Sequence, residues 1–359
     1  MNILAGFLAI AYLVLPLAPA SADAPRSTDA AVVLGSMTLD EKIGQLIIGG
    51  FNGKTLNDET KLLLKKYKVG GFNILGGNVS GAAQSRKLIK DLKAYAAAYQ
   101  PLPLLVATDQ EGGLVSRFKF LKESTPQFQI ATGSEAFFVA GRRARELKNL
   151  GVDMVFSPVL DFVTSSSSYL YPRSFERSAL STILLGIAMV KGYEAGKVIA
   201  VPKHFPGYND MKPDPHRVSY VLNDSSSSFR TAVDIFENVI NVAQPKAIMT
   251  AHIVIPSIDP LPATLSPKIL GSLRAQGFEG VIITDDLGMA SATNNENYTD
   301  TVIKAIVAGN DMIIYSFYPQ RIPLLVAAIK RAVENGKITE ERINRSVLRI
   351  IKIKQGLDS

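Results

Sequence analysis

The chain has 359 residues, of which 47% are apolar and 20% are charged, and it contains no low-complexity tract. This composition is typical of a globular protein with a large core, built as one large domain or two. The formal net charge of +7 is spread along the chain, without the basic stripe that follows phosphates, so we expect no nucleic-acid partner. The absence of cysteine excludes a disulfide framework and a thiolate metal site.

The amino-terminal segment has the pattern of a secretory signal peptide. Residues 3–17 are nearly all apolar. Ala20, Ala22 and Ala24 follow them and form two small-residue cleavage sites. The run is short for a transmembrane helix and contains Pro16, although no Lys or Arg precedes it. We therefore expect a signal peptide over residues 1–22, an exported protein (periplasmic or extracellular) and no stable membrane insertion after cleavage. The alternative is an uncleaved membrane anchor.

Short apolar strands alternate with helices through the rest of the chain. Thr38 and Glu41 have the spacing of a capping box. The predicted strands are 47–51, 69–75, 102–108, 154–157, 198–201, 247–250, 281–284 and 312–315. The predicted helices between and after them are 58–67, 82–99, 135–150, 180–195, 229–242, 267–276, 299–308, 324–335 and 339–355.

This alternation predicts an α/β protein with parallel strands covered by helices. The eight predicted strands are the number that closes a (β/α)8 TIM-type barrel, which we expect as a single domain over residues 30–359. The alternative is an open doubly wound sheet. It is weakened because no Gly-x-Gly-x-x-Gly follows a strand.

Polar residues follow the predicted strands, where barrel enzymes carry their chemistry. They include Asp109, Glu111, Arg117, Asp161, Lys203, His204, His252, Asp285 and Asp286. Some have structural alternatives: an Asp could cap a following helix, a His could be a satisfied core residue, and Arg117 could form a surface ion pair.

The loop after the fifth strand carries a carboxylate and an imidazole, Asp214 and His216. We expect Pro215 to keep Asp214 out of the helical region, so that an extended turn presents the pair. The alternative is a surface loop in which the Asp and the His occur together by chance. An Asp beside a His can fix the ring tautomer and raise its basicity, which makes a proton-transfer group.

The segment from Lys203 to Gly207 resembles the Lys-His-Phe-Pro-Gly segment of glycoside hydrolase family 3. The spacing to Asp214 and His216 is similar to that of its β-N-acetylglucosaminidase branch. Other motifs resemble the family's in order, at 109–113, 117–118, 158–161, 173–175, 250–252, 262–266, 280–289 and 308–312. The chain departs from the usual family residues at Pro172, Glu176, Tyr208, Asn209 and Pro215.

The resemblance implies a retaining exo-β-N-acetylglucosaminidase that acts on terminal β-linked N-acetylglucosamine of oligosaccharides or muropeptides, such as cell-wall (peptidoglycan) fragments. Asp285 takes the nucleophile position, His216 the acid/base position, and Asp214 is its partner. The positions that hold sugar hydroxyls are Asp109, Arg117, Arg173, Lys203 and His204. No metal or cofactor is implied, and we expect a monomer. Alternatives are a glycoside phosphorylase, a β-glucosidase or β-xylosidase, and a non-catalytic sugar-binding barrel.

Overall fold

The computed structural model describes residues 29–212, 220–222, 227–293 and 297–357. Its central sheet contains eight strands, named β1 to β8 in chain order. They are Ile47–Gly49, Gly71–Ile74, Leu105–Thr108, Met154–Val155, Ile199–Ala200, Ala247–Thr250, Val281–Asp286 and Met312–Tyr315. A strand lies at each predicted position, and every pair in this sheet is parallel.

The strands pair in the order of a barrel. β1 to β5 pair consecutively, and the sheet continues from β1 through β8 and β7 to β6. Backbone hydrogen bonds just beyond β5 join the two ends of this sheet, and we call them the seam. The Phe205 amide donates to the Met249 carbonyl at 2.8 Å, the Ala251 amide donates to the Phe205 carbonyl at 2.7 Å, and the Met249 amide donates to the Pro202 carbonyl at 3.0 Å. The predicted (β/α)8 barrel is confirmed, and the open sheet is wrong.

Helices cover the outside of the barrel. Within the described residues they are Ala30–Ser36, Leu39–Gln45, Asp58–Lys65, Ala82–Ala97, Gly133–Leu150, Ala179–Ala195, Ser227–Ala243, Pro267–Ala275, Ala290–Thr293, Tyr298–Ala308, Ile322–Glu334 and Glu340–Gln355. The capping box is confirmed: the Glu41 amide donates to Thr38 Oγ1, and the Thr38 amide donates to Glu41 Oε2. In the described part of the chain, no helix is both long and apolar enough to cross a bilayer.

Two predicted strand boundaries differ for reasons that matter here, and the second of them affects the site. β3 begins at Leu105 rather than at residue 102, and Pro103, which has no amide proton to give to a ladder, lies outside it. β7 runs on to Asp286 instead of ending at Thr284, so Asp285 belongs to the strand itself.

The connection after β3 is a hairpin, not a helix. Gln110–Gly112 pairs antiparallel with Val115–Ser116, and the next α-helix starts at Gly133 with Thr132 as its cap. Asp109 therefore caps no helix, and that alternative is wrong. A second small sheet joins Tyr220–Val221, Ile253–Ile255 and Asp259–Pro262 beside the barrel.

The amino-terminal end of the barrel is closed by a lysine of the last helix. Lys354 Nζ donates to Gln45 Oε1 at 2.6 Å and to the carbonyls of Gly70 and Pro103 at 2.7 Å each. These acceptors precede β1, β2 and β3. The cavity that contains the predicted site residues lies at the opposite, carboxyl end of the strands, as in other barrels.

Candidate active site

A cavity of ≈ 320 Å³ opens at the carboxyl ends of the strands. Six residues that the sequence predicted for the site line it: Asp109, Arg117, Arg173, Lys203, His204 and Asp285. The predicted dyad, Asp214 and His216, lies outside the described residues. The volume suits one sugar ring held by a few fixed polar groups.

One wall of the cavity contains a network of charged side chains, most of them buried, that we call the ion cluster. Lys203 Nζ lies 2.8 Å from Asp109 Oδ1 and 2.6 Å from Glu111 Oε1. Arg173 binds both oxygens of Glu111, with distances of 2.9 and 2.8 Å. Arg117 Nη2 donates to Asp109 Oδ2 at 3.2 Å. Charge-assisted and bidentate pairs of this kind hold side chains in fixed positions.

The cluster keeps its carboxylates ionised. Burial favours the neutral form of Glu111, but the charges of Arg173 and Lys203 outweigh burial and lower its pKa to about 2. Burial acts on Asp109 in the same way, and Lys203 and Arg117 hold its pKa well below the usual range. Burial is likewise outweighed at Lys203, where Asp109 and Glu111 raise the pKa. The wall therefore presents fixed ions near neutral pH.

Asp285 faces this wall from the end of β7. Burial favours its neutral form, but the nearby rings of His204 and His252 and the Lys203 ammonium lower its pKa. His204 Nε2 lies 3.9 Å from Asp285 Oδ2. Asp285 Oδ1 accepts a hydrogen bond from the Asp286 amide at 2.8 Å. An ionised carboxylate in this position can act as a nucleophile.

Asp286 has a different environment, although it is the next residue. Its two carboxyl oxygens accept hydrogen bonds from the amides of Gly288 and Ser316, at 2.8 and 2.9 Å. Burial raises its pKa to about 6, against those hydrogen bonds and with help from the neighbouring Asp285 charge. Its contacts join the end of β7 to the segment after β8. The helix that follows begins only at Ala290, so neither carboxylate occupies its capping position.

The two described histidines differ in role. His204 Nδ1 lies 2.7 Å from Asp161 Oδ2, and Asp161 Oδ1 accepts from the Tyr208 amide at 2.7 Å. An ionised Asp161 accepts only, so the proton of this pair lies on Nδ1 and His204 Nε2 points toward Asp285. His252 is instead a core residue, 3.0 Å from Thr264 Oγ1 and 3.1 Å from the Asp286 carbonyl oxygen.

Sequence reasoning named three members of this site without giving them a role. Glu111 was considered only as another strand-end carboxylate, yet it binds both Lys203 and Arg173. Asp161 fixes the His204 ring. Tyr208, a departure from the usual family residue, lines the cavity, and its hydroxyl accepts from the His252 amide at 2.7 Å. All three lie inside or beside motifs that resemble the family's, and this position was the signal that could have indicated a role.

The chain is similar to known proteins over most of its length. The family description "Glycosyl hydrolase family 3 N terminal domain" matches residues 38–353. A "Beta-hexosaminidase" of Nitrosomonas eutropha is 30% identical over 315 residues, which cover 82% of this chain and 88% of that protein. "Beta-hexosaminidase A" of Pseudoalteromonas piscicida is 30% identical over 334 residues, covering 84% of this chain and 56% of that protein.

A solved structure extends the comparison to the fold. The glycoside hydrolase family 3 β-N-acetylglucosaminidase of a Paenibacillus species superposes with a TM-score of 0.85 at 32% identity, covering 90% of this chain and 64% of that one. The chain thus spans less than two thirds of the Paenibacillus and Pseudoalteromonas proteins. Because the family match extends from Thr38 to Ile353 and so includes all eight strands, the chain belongs to glycosyl hydrolase family 3.

Proposed function

We propose that the protein is a retaining β-N-acetylglucosaminidase that removes terminal β-linked N-acetylglucosamine from oligosaccharides, with cell-wall (peptidoglycan) fragments as its source of substrate. One observation carries the proposal: the ionised Asp285 at the end of β7 shares a cavity with the ion cluster. The named hexosaminidases, at 30% identity, support the choice of sugar.

In this mechanism Asp285 attacks the anomeric carbon, and the bond to the leaving oxygen breaks as a glycosyl ester forms. The transition state carries positive charge at the sugar ring, which the Asp285 carboxylate stabilises. Lys203, Arg117 and Arg173 donate to the sugar hydroxyls, and Asp109 accepts from them. Because the ion cluster already holds these side chains in fixed positions, they need little reorientation during the reaction.

The proton chemistry is assigned to His216, with Asp214 as its partner. This assignment rests on the family resemblance of the segment after β5. His216 gives its proton to the leaving oxygen, and it later takes a proton from the water that hydrolyses the ester. Among the described carboxylates, Glu111 is excluded as the acid, because a group with a pKa of about 2 holds no proton at neutral pH.

The test is a comparison of chromogenic substrates. The purified protein should hydrolyse the 4-nitrophenyl β-N-acetylglucosaminide far faster than the β-glucoside or the β-xyloside, and proton NMR should show the β-anomer as the first product. Release that requires inorganic phosphate would identify a phosphorylase instead. No release from any of these substrates, by protein that still binds N-acetylglucosamine in calorimetry, would identify a non-catalytic sugar-binding barrel.

A further inference from the structure

One polar side chain of the cavity lies deeper in the barrel than the ion cluster. Asn73 is in β2 and pairs with Ala107, two residues before Asp109. Because alternate residues of a strand share a face, Asn73 lies on the same side of the sheet as Asp109, one layer deeper. Asn73 lines the cavity and is 4% exposed, and the strand residues Met249 and Ile314, which also line it, are apolar. A hydrogen bond to the Asn73 amide is therefore stronger than the same bond in water.

One end of this amide is paired. Asn73 Nδ2 donates to Ser316 Oγ at 3.1 Å. Burial raises the pKa of Asp286, and the Ser316 side chain is one of the hydrogen-bond donors that act against burial there. The Ser316 hydroxyl thus gives its proton to Asp286 and accepts from Asn73, which fixes the orientation of the amide.

The other end of the amide has no partner. Asn73 Oδ1 is buried and accepts no hydrogen bond from any residue that the structure describes. Asn78, also buried, is the contrast, because its Oδ1 accepts from the Leu75 amide at 3.0 Å and its Nδ2 donates to two backbone carbonyls. The Asn209 side chain lacks partners too, but it does not line the cavity. A buried acceptor without a partner destabilises the free protein, and in a cavity it is open to a ligand.

A sugar has the donors that this acceptor lacks. Each ring hydroxyl and the acetamido N–H of N-acetylglucosamine can donate a hydrogen bond. The oxygens of Asp109 and Glu111 already accept from the cations of the ion cluster. Asn73 Oδ1 is instead a neutral acceptor with both lone pairs free, so a hydrogen bond from a sugar replaces no existing contact within the protein.

We propose that Asn73 Oδ1 accepts a hydrogen bond from a donor group of the sugar in the cavity, a ring hydroxyl or the acetamido N–H, and so selects for sugars that carry that donor. The inference rests on the proposed function and adds a specificity residue to it. Asn73 takes no part in bond cleavage.

Substrates that each lack one donor test this contact. The reference is the 4-nitrophenyl β-N-acetylglucosaminide. Three analogues lack the hydroxyl at C3, C4 or C6, and a fourth has an acetate ester in place of the acetamido group. Asn73→Leu should lower kcat/KM for the reference roughly ten- to a hundredfold, because the sugar donor is then buried without an acceptor. The wild type should lose a similar factor on one analogue, and on that analogue the wild type and Asn73→Leu should agree within about threefold.

Asn78→Leu is the matched control, because Asn78 is a buried asparagine that does not line the cavity. It should melt at a lower temperature than Asn73→Leu, since the Leu75 amide and two carbonyls lose their partners. Any loss of kcat/KM in Asn78→Leu should be the same on all five substrates.

Equal loss on all five substrates in Asn73→Leu would show a structural role alone and would overturn the inference, and so would loss on none. A wild type that leaves the reference substrate uncleaved would instead contradict the proposed function, which is a distinguishable result. Calorimetric binding of N-acetylglucosamine and its deoxy analogues would then test Asn73 separately. Should Asn73→Leu not fold, Asn73→Val gives the same comparison.

Discussion

Asp285 and Asp286 are neighbours in the same strand with opposite electrostatic surroundings. Asp285→Asn removes the ionised carboxylate that faces the ion cluster, and we expect kcat on the chromogenic substrate to fall on the order of a thousandfold or more. Asp286→Asn should retain much more activity but melt at a lower temperature, because an amide cannot accept from both the Gly288 and the Ser316 amides.

Steady-state rates and thermal melts of the two variants check this prediction. An inactive Asp286→Asn beside an active Asp285→Asn would show that the nucleophile is assigned to the wrong residue.

Asp214 and His216 give a second prediction. Loss of the ring in His216→Ala removes proton transfer and should cost roughly a hundred- to ten-thousandfold on substrates with poor leaving groups. The loss should shrink for a dinitrophenyl glycoside, whose leaving oxygen needs no proton, and Asp214→Ala should cost no more than His216→Ala. The measurement is log kcat/KM against leaving-group pKa for the wild type and His216→Ala. Lines of equal slope would show that His216 is not the acid.

The last helix contributes a buried ammonium to the amino-terminal ends of β1 to β3. Burial lowers the pKa of Lys354 to about 7, well below its ordinary value in an unfolded chain. Between about pH 7 and pH 10 the unfolded chain therefore binds more protons than the folded protein does. The free energy of unfolding should consequently rise with pH in that range.

Lys354→Met tests this. The variant should lose about 2–4 kcal/mol of stability, because three buried acceptors lose their donor, and its stability should no longer rise above pH 7. Lys352→Met, an exposed change on the same helix, is the control. The measurement is urea unfolding at pH 7 and pH 9. An equal change in the free energy of unfolding between these pH values in the wild type and in Lys354→Met would contradict the prediction.

The elements and the site were not equally predictable. Strand positions could be read because both faces of a barrel strand are buried, which makes each one a short apolar run. Asp109, Lys203 and Asp285 could be placed together because parallel strands end at one face of the barrel. The pairing of Glu111 with Arg173 could not, since 62 residues separate them and only the folded chain brings them together. Position at a strand end also could not distinguish His204 from His252, and only the family resemblance gave His204 a role. Both follow strands, and the partners that separate them, Asp161 and Thr264, are distant along the chain or in another element.

For the whole molecule, the ion cluster links stability to acid pH. The pKa of Glu111 is lowered from 4.5 to about 2, so its contribution is present above pH 4.5 and is lost as the pH falls through 2. This group alone should account for about 3 kcal/mol of lost stability over that range. Asp286 changes stability in the opposite direction, because folding raises its pKa. Its contribution to the free energy of unfolding is present below about pH 4 and is lost as the pH rises through about 6.

Urea unfolding of the wild type and Glu111→Gln at pH 7, 4.5 and 2.5 checks the acid range. Glu111→Gln should be less stable at pH 7, because Arg173 and Lys203 lose a charged partner, and it should lose less stability on acidification. A wild type and variant that lose stability in parallel below pH 4.5 would contradict the assignment.

Export is the remaining expectation for the whole chain. The apolar run at residues 3–17, followed by small residues, leads us to expect cleavage near Ala22. Mass spectrometry of the amino terminus of protein expressed in its host checks this. An intact residue 1 in a cytoplasmic fraction would contradict it.

The seam has a consequence for how the protein acquires its activity. The backbone that closes the circle between β5 and β6 runs from Pro202 to Phe205, so it includes both Lys203 and His204. An unfolding intermediate that opens at the seam therefore displaces two side chains that we expect to contact the sugar. If a sugar binds to Lys203 and His204, it also stabilises the seam, and the seam should then be among the last parts of the barrel to unfold while product is bound.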